Sequence, residues 1–144
     1  MKLARKKIII VDDNASYLSV VRVLLKSYYE VYPAPSASKL YKIIEKFIPD
    51  LVLLDVNMPE INGFEAITAL KENPRYKDIP VVFLTAKDDE ASAIKGLDLG
   101  AVDYITKPIS GTLLLQRISN IMLIEKLKMD LQASNETIKK LRGQ

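Results

Sequence analysis

Short, largely β-branched apolar runs alternate along this chain with stretches in which apolar residues return every three or four positions. The runs are Lys7–Val11, Glu30–Tyr32, Leu51–Leu54, Val81–Leu84 and Val102–Ile105. Most are continuously apolar, the pattern of strands covered on both faces. Between them, Tyr17/Val21/Leu24/Tyr28, Leu40/Ile43/Ile44/Phe47, Phe64/Ile67/Leu70 and Ala93/Ile94/Leu97 keep the period of amphipathic helices. The punctuation agrees: Ser36 is placed to cap the second helix, Pro49 and Pro80 precede strands, and Gly100 follows the fourth helix. Five β-α units in strict alternation predict an α/β fold, a parallel doubly wound sheet with right-handed crossovers.

Carboxylates interrupt this pattern at particular places. Asp12 and Asp13 follow the first run and Asp55 closes the third. In a parallel sheet these residues meet at the carboxyl edge, where ligands of doubly wound sheets sit. Thr85, just past the fourth run, and Lys107, just past the fifth, map to the same edge. Two carboxylates ~4 Å apart repel by about 4 kcal/mol at an effective dielectric near 20. Such a cluster persists only if it binds a metal, shares protons or pairs with a cation. A lone aspartate at a strand end is usually a cap or turn residue, but three on one edge beside a lysine and a threonine argue for a site.

Composition narrows the chemistry. The 144 residues are 49% hydrophobic and 27% charged, which fits one globular domain. There is no Cys, hence no disulfide framework, thiolate nucleophile or zinc cluster, and no His, the commonest general base and transition-metal ligand. The net charge of +3 is scattered apart from Lys2/Arg5/Lys6/Lys7 and Lys139/Lys140/Arg142. Without Trp or interleaved aromatic and basic residues, these read as solvated edges and no direct nucleic-acid contact is expected. No apolar stretch reaches membrane-spanning length and the start does not resemble a signal peptide, so the expected location is the cytoplasm with no membrane contact.

Carboxylate oxygens without His or Cys form a hard-oxygen site, suited to Mg²⁺ (or Mn²⁺) more than to zinc or copper. A carboxylate held there can attack a phosphoryl group to give an acyl phosphate. An ammonium and a hydroxyl can stabilise the charge on the transferring oxygens. Asp55, central in the sheet, is the natural nucleophile, with Asp12 and Asp13 as metal anchors, Lys107 as the ammonium and Thr85 as the hydroxyl.

The stretches Val11-Asp12-Asp13-Asn14, Pro49 to Pro59, Gly63-Phe64-Glu65, Val81 to Ala86 and Gly100 to Pro108 together resemble the receiver domains of bacterial two-component response regulators, of the chemotaxis-regulator type. The resemblance spans almost everything from Lys6 to about Ile124. It implies a flavodoxin-like sheet of order 2-1-3-4-5 with helices on both faces. It also implies that Asp55 accepts phosphate from a sensor histidine kinase, with Mg²⁺ held by Asp13, Asp55 and the backbone carbonyl of Asn57, and Asp12 acting largely through water. Thr85 matches a residue that contacts the phosphate, Tyr104 an aromatic switch, and Lys107-Pro108 a dipeptide whose bond is usually cis. Asn57 and Lys87 match positions that tune the lifetime of the phosphate. The domain would catalyse only its own phosphorylation and dephosphorylation and is otherwise no enzyme.

Rivals fit less well. A dehalogenase-type phosphatase has Asp-x-Asp after its first strand, whereas here Asn57 stands two past the nucleophile, after the third. A flavodoxin needs a hydroxyl- and glycine-rich phosphate loop where this chain has Asp12-Asp13-Asn14. A receiver used only for docking or dimerisation, independent of phosphorylation, would normally lack Asp55 or Lys107.

The last helix continues past any receiver. After Leu114, Ile118 and Ile121, apolar residues recur at Ile124, Leu127, Leu131, Ile138 and Leu141, with Ser134 at a seam position. A helix from Ser110 to Leu141 is ~48 Å long at 1.5 Å per residue, longer than the ~35 Å expected for the body. The expected organisation is a receiver over residues 1–124 and a helical extension over 125–144. The extension reads as a coiled-coil linker to a homodimer partner or to an output domain.

Overall fold

In a computed structural model the chain is described over residues 5–86, 88–108 and 110–143. Five strands alternate with five helices: β1 (Lys7–Val11), α1 (Ala15–Leu25), β2 (Glu30–Ala34), α2 (Ala37–Ile44), β3 (Leu51–Asp55), α3 (Gly63–Glu72), β4 (Val81–Ala86), α4 (Glu90–Asp98), β5 (Asp103–Lys107) and α5 (Gly111–Arg142). The sheet has the order β2-β1-β3-β4-β5 and all of its pairings are parallel. This is the parallel doubly wound sheet that the alternation predicts, in the flavodoxin-like order that the resemblance implies.

Two apolar layers flank the sheet. Ile9, Val11, Val52, Leu54, Val81 and Phe83 face α2 and α3. Ile8, Ile10, Leu51, Leu53, Val82 and Leu84 face α1 and α5. Every residue of β3 is buried, which is why that strand reads as an unbroken apolar run until Asp55.

Several boundaries move outward from the expected ones. β2 continues through Pro33 to Ala34, because an edge strand tolerates a residue without an N–H. β4 and β5 run to Ala86 and Lys107, paired Thr85 with Thr106 and Ala86 with Lys107. Thr85 and Lys107 therefore belong to the strands and do not follow them. Ser36 caps α2 as expected, accepting from the Lys39 amide.

Two helical stripes also differ. α1 ends at Leu25 and buries Leu18, Val21 and Leu25, leaving Tyr28 outside the helix and exposed. α4 meets the sheet through Ala93 and Gly96, while Ile94 and Leu97 stay exposed. A side chain on Gly96 would collide with the Phe83 ring, so α4 lies too close for large residues. The exposed pair joins Tyr104, also exposed, near the β5 edge.

α5 has two unlike halves. Leu114, Ile118 and Ile121 are buried against the body, whereas every residue from Lys126 to Gly143 is exposed. At ~100° per residue, Ile124, Leu127 and Leu131 centre roughly 110° around the helix from the buried stripe. The bare stripe is thus a second, exposed face turned aside from the buried one, and not a continuation of it. Among the described residues no helix is long and apolar enough to cross a membrane.

Candidate functional site

The sheet register assembles an acidic pocket. Val11 pairs with Leu54, so the chain leaving β1 at Asp12 stands beside Asp55, the last residue of β3. The Asp12 amide donates to the Ala34 carbonyl at 3.0 Å, and Asp12 Oδ1 accepts from the Asn14 amide at 2.9 Å. Asn14 then caps α1 by accepting from the Tyr17 amide at 3.1 Å. Asp12 and Asp55 are only 1% and 6% exposed, whereas Asp13 faces solvent. One carboxylate oxygen from each of Asp12, Asp13 and Asp55 lies within 4.8 Å of the others.

Lys107 is the counter-charge. From the end of β5 its stem reaches across β4, and Nζ donates to Asp12 Oδ2 at 2.7 Å and approaches Asp55 Oδ1 at 3.5 Å. Asp55 Oδ1 also accepts from the Asn57 amide at 3.3 Å. Three carboxylates face one ammonium, so the uncompensated charge of the cluster is that of a divalent cation. A donor set of carboxylate oxygens without imidazole or thiolate suits a hard cation, and Mg²⁺ fits it.

Burial pushes the Asp55 carboxyl up to about 6, and the neighbouring Asp12 charge adds to this, while Lys107 and the Asn57 amide act the other way. Burial alone would depress the Lys107 ammonium. The hydrogen bond to Asp12 and the charges of Asp55 and Asp12 outweigh it and hold Lys107 above the ordinary lysine value. The pocket therefore keeps its cation and holds the Asp55 carboxyl above its ordinary value, a charge distribution found at functional sites.

Thr85 is buried on β4, next to Leu84, which pairs with Asp55. Tyr104 is 36% exposed, so its ring lies outward in this structure. Lys107-Pro108 has a cis peptide bond. Gly63 opens α3 against Asp55, where a side chain would strike the Asp55 carbonyl. This fits a geometric role for that glycine. Lys87 lies outside the described residues.

Two contacts are absent from the sequence reading. The Tyr17 ring lies under the Lys107 ammonium, 4.8 Å from Nζ to the ring centroid. Helical period had assigned Tyr17 only to the packed stripe of α1. Arg117 of α5 donates to the Tyr104 carbonyl at 2.8 Å and pairs with Asp103 at 3.2 Å, tying α5 to β5. No motif marks it, because a single arginine on a long helix reads as a solvated residue.

Known proteins share this arrangement. The response regulator receiver domain family matches residues 8–119. A Vibrio cholerae protein named "Probable cyclic di-GMP phosphodiesterase" is 40% identical over 116 residues, covering 81% of this chain and 26% of that protein. The response regulator PleD of Caulobacter vibrioides is 35% identical over 127 residues, covering 85% of this chain and 28% of PleD. The chain thus spans about a quarter of the length of these two relatives. The solved chemotaxis protein CheY4 of Vibrio cholerae superposes with a TM-score of 0.77 at 29% identity, over 82% of this chain and 99% of CheY4. With the 2-1-3-4-5 sheet and the acidic pocket at its carboxyl edge, these matches establish that the chain belongs to the response regulator receiver domain family.

Proposed function

We propose that this receiver domain is a phosphoacceptor switch in which Asp55 takes a phosphoryl group from a sensor histidine kinase. The observation that carries the reading is the buried Asp55 carboxylate, flanked by Asp12 and Asp13 and reached by Lys107 at 3.5 Å. A carboxylate oxygen of Asp55 attacks phosphorus as the donor's N–P bond breaks, and the electron pair stays on the departing imidazole nitrogen. Asp12, Asp13, Asp55 and the Asn57 carbonyl would hold Mg²⁺, which when bound supplies charge neutralisation for the transferring oxygens. Lys107 orients the group and pairs with its charge, moving between carboxylate and phosphoryl oxygens without giving up a proton. Thr85 offers a hydroxyl from the adjacent strand.

Output follows from the same geometry. Charge added at Asp55 biases a two-state element, with Thr85 drawn toward the phosphoryl group and Tyr104 turning from its exposed position. The readout face is α4, β5 and α5, where Ile94, Leu97 and Tyr104 are already exposed. Arg117 couples that face to α5 and hence to the extension. The extension pairs as a parallel coiled coil with a second copy, and in a longer protein it leads to an output domain. The exposed stripe supports this, since two helices can join along it.

Uptake of beryllofluoride with Mg²⁺ tests the acceptor. The full chain should bind it and Asp55→Asn should not. A substituted protein that responded like the original would end the assignment.

A further inference from the structure

We propose that Tyr17 is a positioning residue of the acidic pocket, its ring face holding the Lys107 ammonium in the orientation that meets Asp12 and Asp55 and later the phosphoryl group. The inference rests on the reading of Asp55 as acceptor. Lysine reaches the pocket on a flexible stem with rotatable donors, so a target on one side does not by itself fix the ammonium. Here it is bounded on two sides. Asp12 Oδ2 takes one donor at 2.7 Å, Asp55 Oδ1 lies at 3.5 Å, and the Tyr17 ring closes another direction at 4.8 Å from its centroid, within the reach of a cation–π contact.

The ring is itself well placed to steer. Asp12 Oδ1 accepts from the Asn14 amide, and Asn14 caps α1 through the Tyr17 amide, so pocket and helix start share one chain of bonds. The ring packs on the cluster that contains Ile8, Ile10, Leu18 and Val21. Its hydroxyl is buried and has no hydrogen-bond partner among the described residues. The contact the structure shows between Tyr17 and the site is the ring face. Phenylalanine should do the same work, whereas an aliphatic residue of similar volume should not.

When the Asp55–phosphorus bond forms and the donor departs with its electron pair, Lys107 must shift its ion pair from Asp55 Oδ1 to a phosphoryl oxygen while keeping its hydrogen bond to Asp12. A steered ammonium makes that exchange without sampling solvent-facing orientations. The carboxylates that hold the metal do not depend on the ring. Tyr17 should therefore matter for the phosphorylated state and not for the metal alone.

The experiment uses the full chain with Tyr17→Leu and Tyr17→Phe, each checked for unaltered thermal unfolding. Two titrations follow: Mg²⁺ alone, and beryllofluoride at saturating Mg²⁺ read by ¹⁹F NMR. Tyr17→Leu should weaken beryllofluoride by about five- to thirty-fold, the range of a partly desolvated cation–π contact. Tyr17→Phe should stay within about twofold of the original, and Mg²⁺ affinity should be unchanged in both. In a Lys107→Ala background, Tyr17→Leu should cause no further loss. Wild-type affinity in Tyr17→Leu would overturn the proposal, as would an equal loss in Tyr17→Phe or a parallel loss of Mg²⁺ affinity. An original protein that binds no beryllofluoride would instead refute the acceptor reading.

Discussion

At the carboxyl edge of the sheet this protein buries charge, and beyond its amino edge it exposes apolar side chains. Asp12 and Asp55 are almost wholly buried, while Leu127, Leu131 and Leu141 are 57%, 62% and 69% exposed. Each end inverts the usual distribution of residues. In the pocket three carboxylates face one ammonium, a charge that a divalent cation would offset. Along the extension, no described residue covers the apolar stripe. The core between them shows no such inversion, since its two layers are satisfied by the chain's own helices. On the proposed reading, one end receives a signal and the other passes it on.

The comparison breaks first at the extension. A helix of some twenty residues with an exposed stripe is marginal alone in water, so pairing along that stripe should dominate the assembly state. The full chain should scatter light as a dimer at micromolar concentration, and a version ending near Glu125 as a monomer. Equal subunit numbers for the two would remove the extension from the assembly and leave the stripe unexplained.

At the opposite end, the expected change is in stability against pH. The Asp55 carboxyl titrates near 6 in the folded protein and at 3.8 when unfolded. Between those values the folded state holds more protons, so stability falls as pH rises and then levels off above about 6. Asp55→Asn removes the group that causes the fall. Without metal at pH 7–8 the variant should be more stable by about 2–3 kcal/mol, taking about 1.4 kcal/mol per pH unit as an upper bound. Below pH 4 the two proteins should converge. Saturating Mg²⁺ should stabilise the original more than the variant. Urea unfolding at pH 3.5, 5, 6 and 8 checks the sign, and a variant no more stable at pH 8 would show that Lys107 already offsets the burial.

The two ends were unequally legible in the sequence. The pocket could be read because it depends on strand ends: once Val11 and Leu54 are strand residues, Asp12 and Asp55 meet at one edge whatever the loops do. The contacts between side chains on different elements could not. Lys107 choosing Asp12 over Asp55, Tyr17 lying under Lys107 and Arg117 reaching the Tyr104 carbonyl depend on how α1 and α5 sit on the sheet, which no local spacing encodes. α4 misled for a similar reason. Its apolar period suggested a buried stripe, but Gly96 brings the helix against Phe83 and leaves Ile94 and Leu97 outside. In α5 the period was read correctly as helix and incompletely as orientation. The shift from Leu114/Ile118/Ile121 to Ile124/Leu127/Leu131 looks continuous in one dimension and turns to another face in three.

The smallest effect is the sharpest test of what the extension is for. In the heptad pattern Ser134 falls at a seam position between Leu131 and Ile138, where a tight coiled coil would carry an apolar residue. Polar seam residues lower stability while fixing register. Ser134→Leu should therefore tighten the dimer, by about 1–2 kcal/mol for the added apolar burial, which is about a tenfold change in dissociation constant. Leucine is also the better helix former, by a few tenths of a kcal/mol, so a gain in helicity alone would say nothing about pairing. The decisive quantity is the concentration at which the dimer dissociates. If the extension were an unpaired helix, the substitution would add exposed apolar surface, raise helicity slightly and leave that concentration undefined. If it is a seam, dissociation should shift to lower concentration. On the proposed coupling through Arg117, a more stable seam should also respond less to phosphorylation.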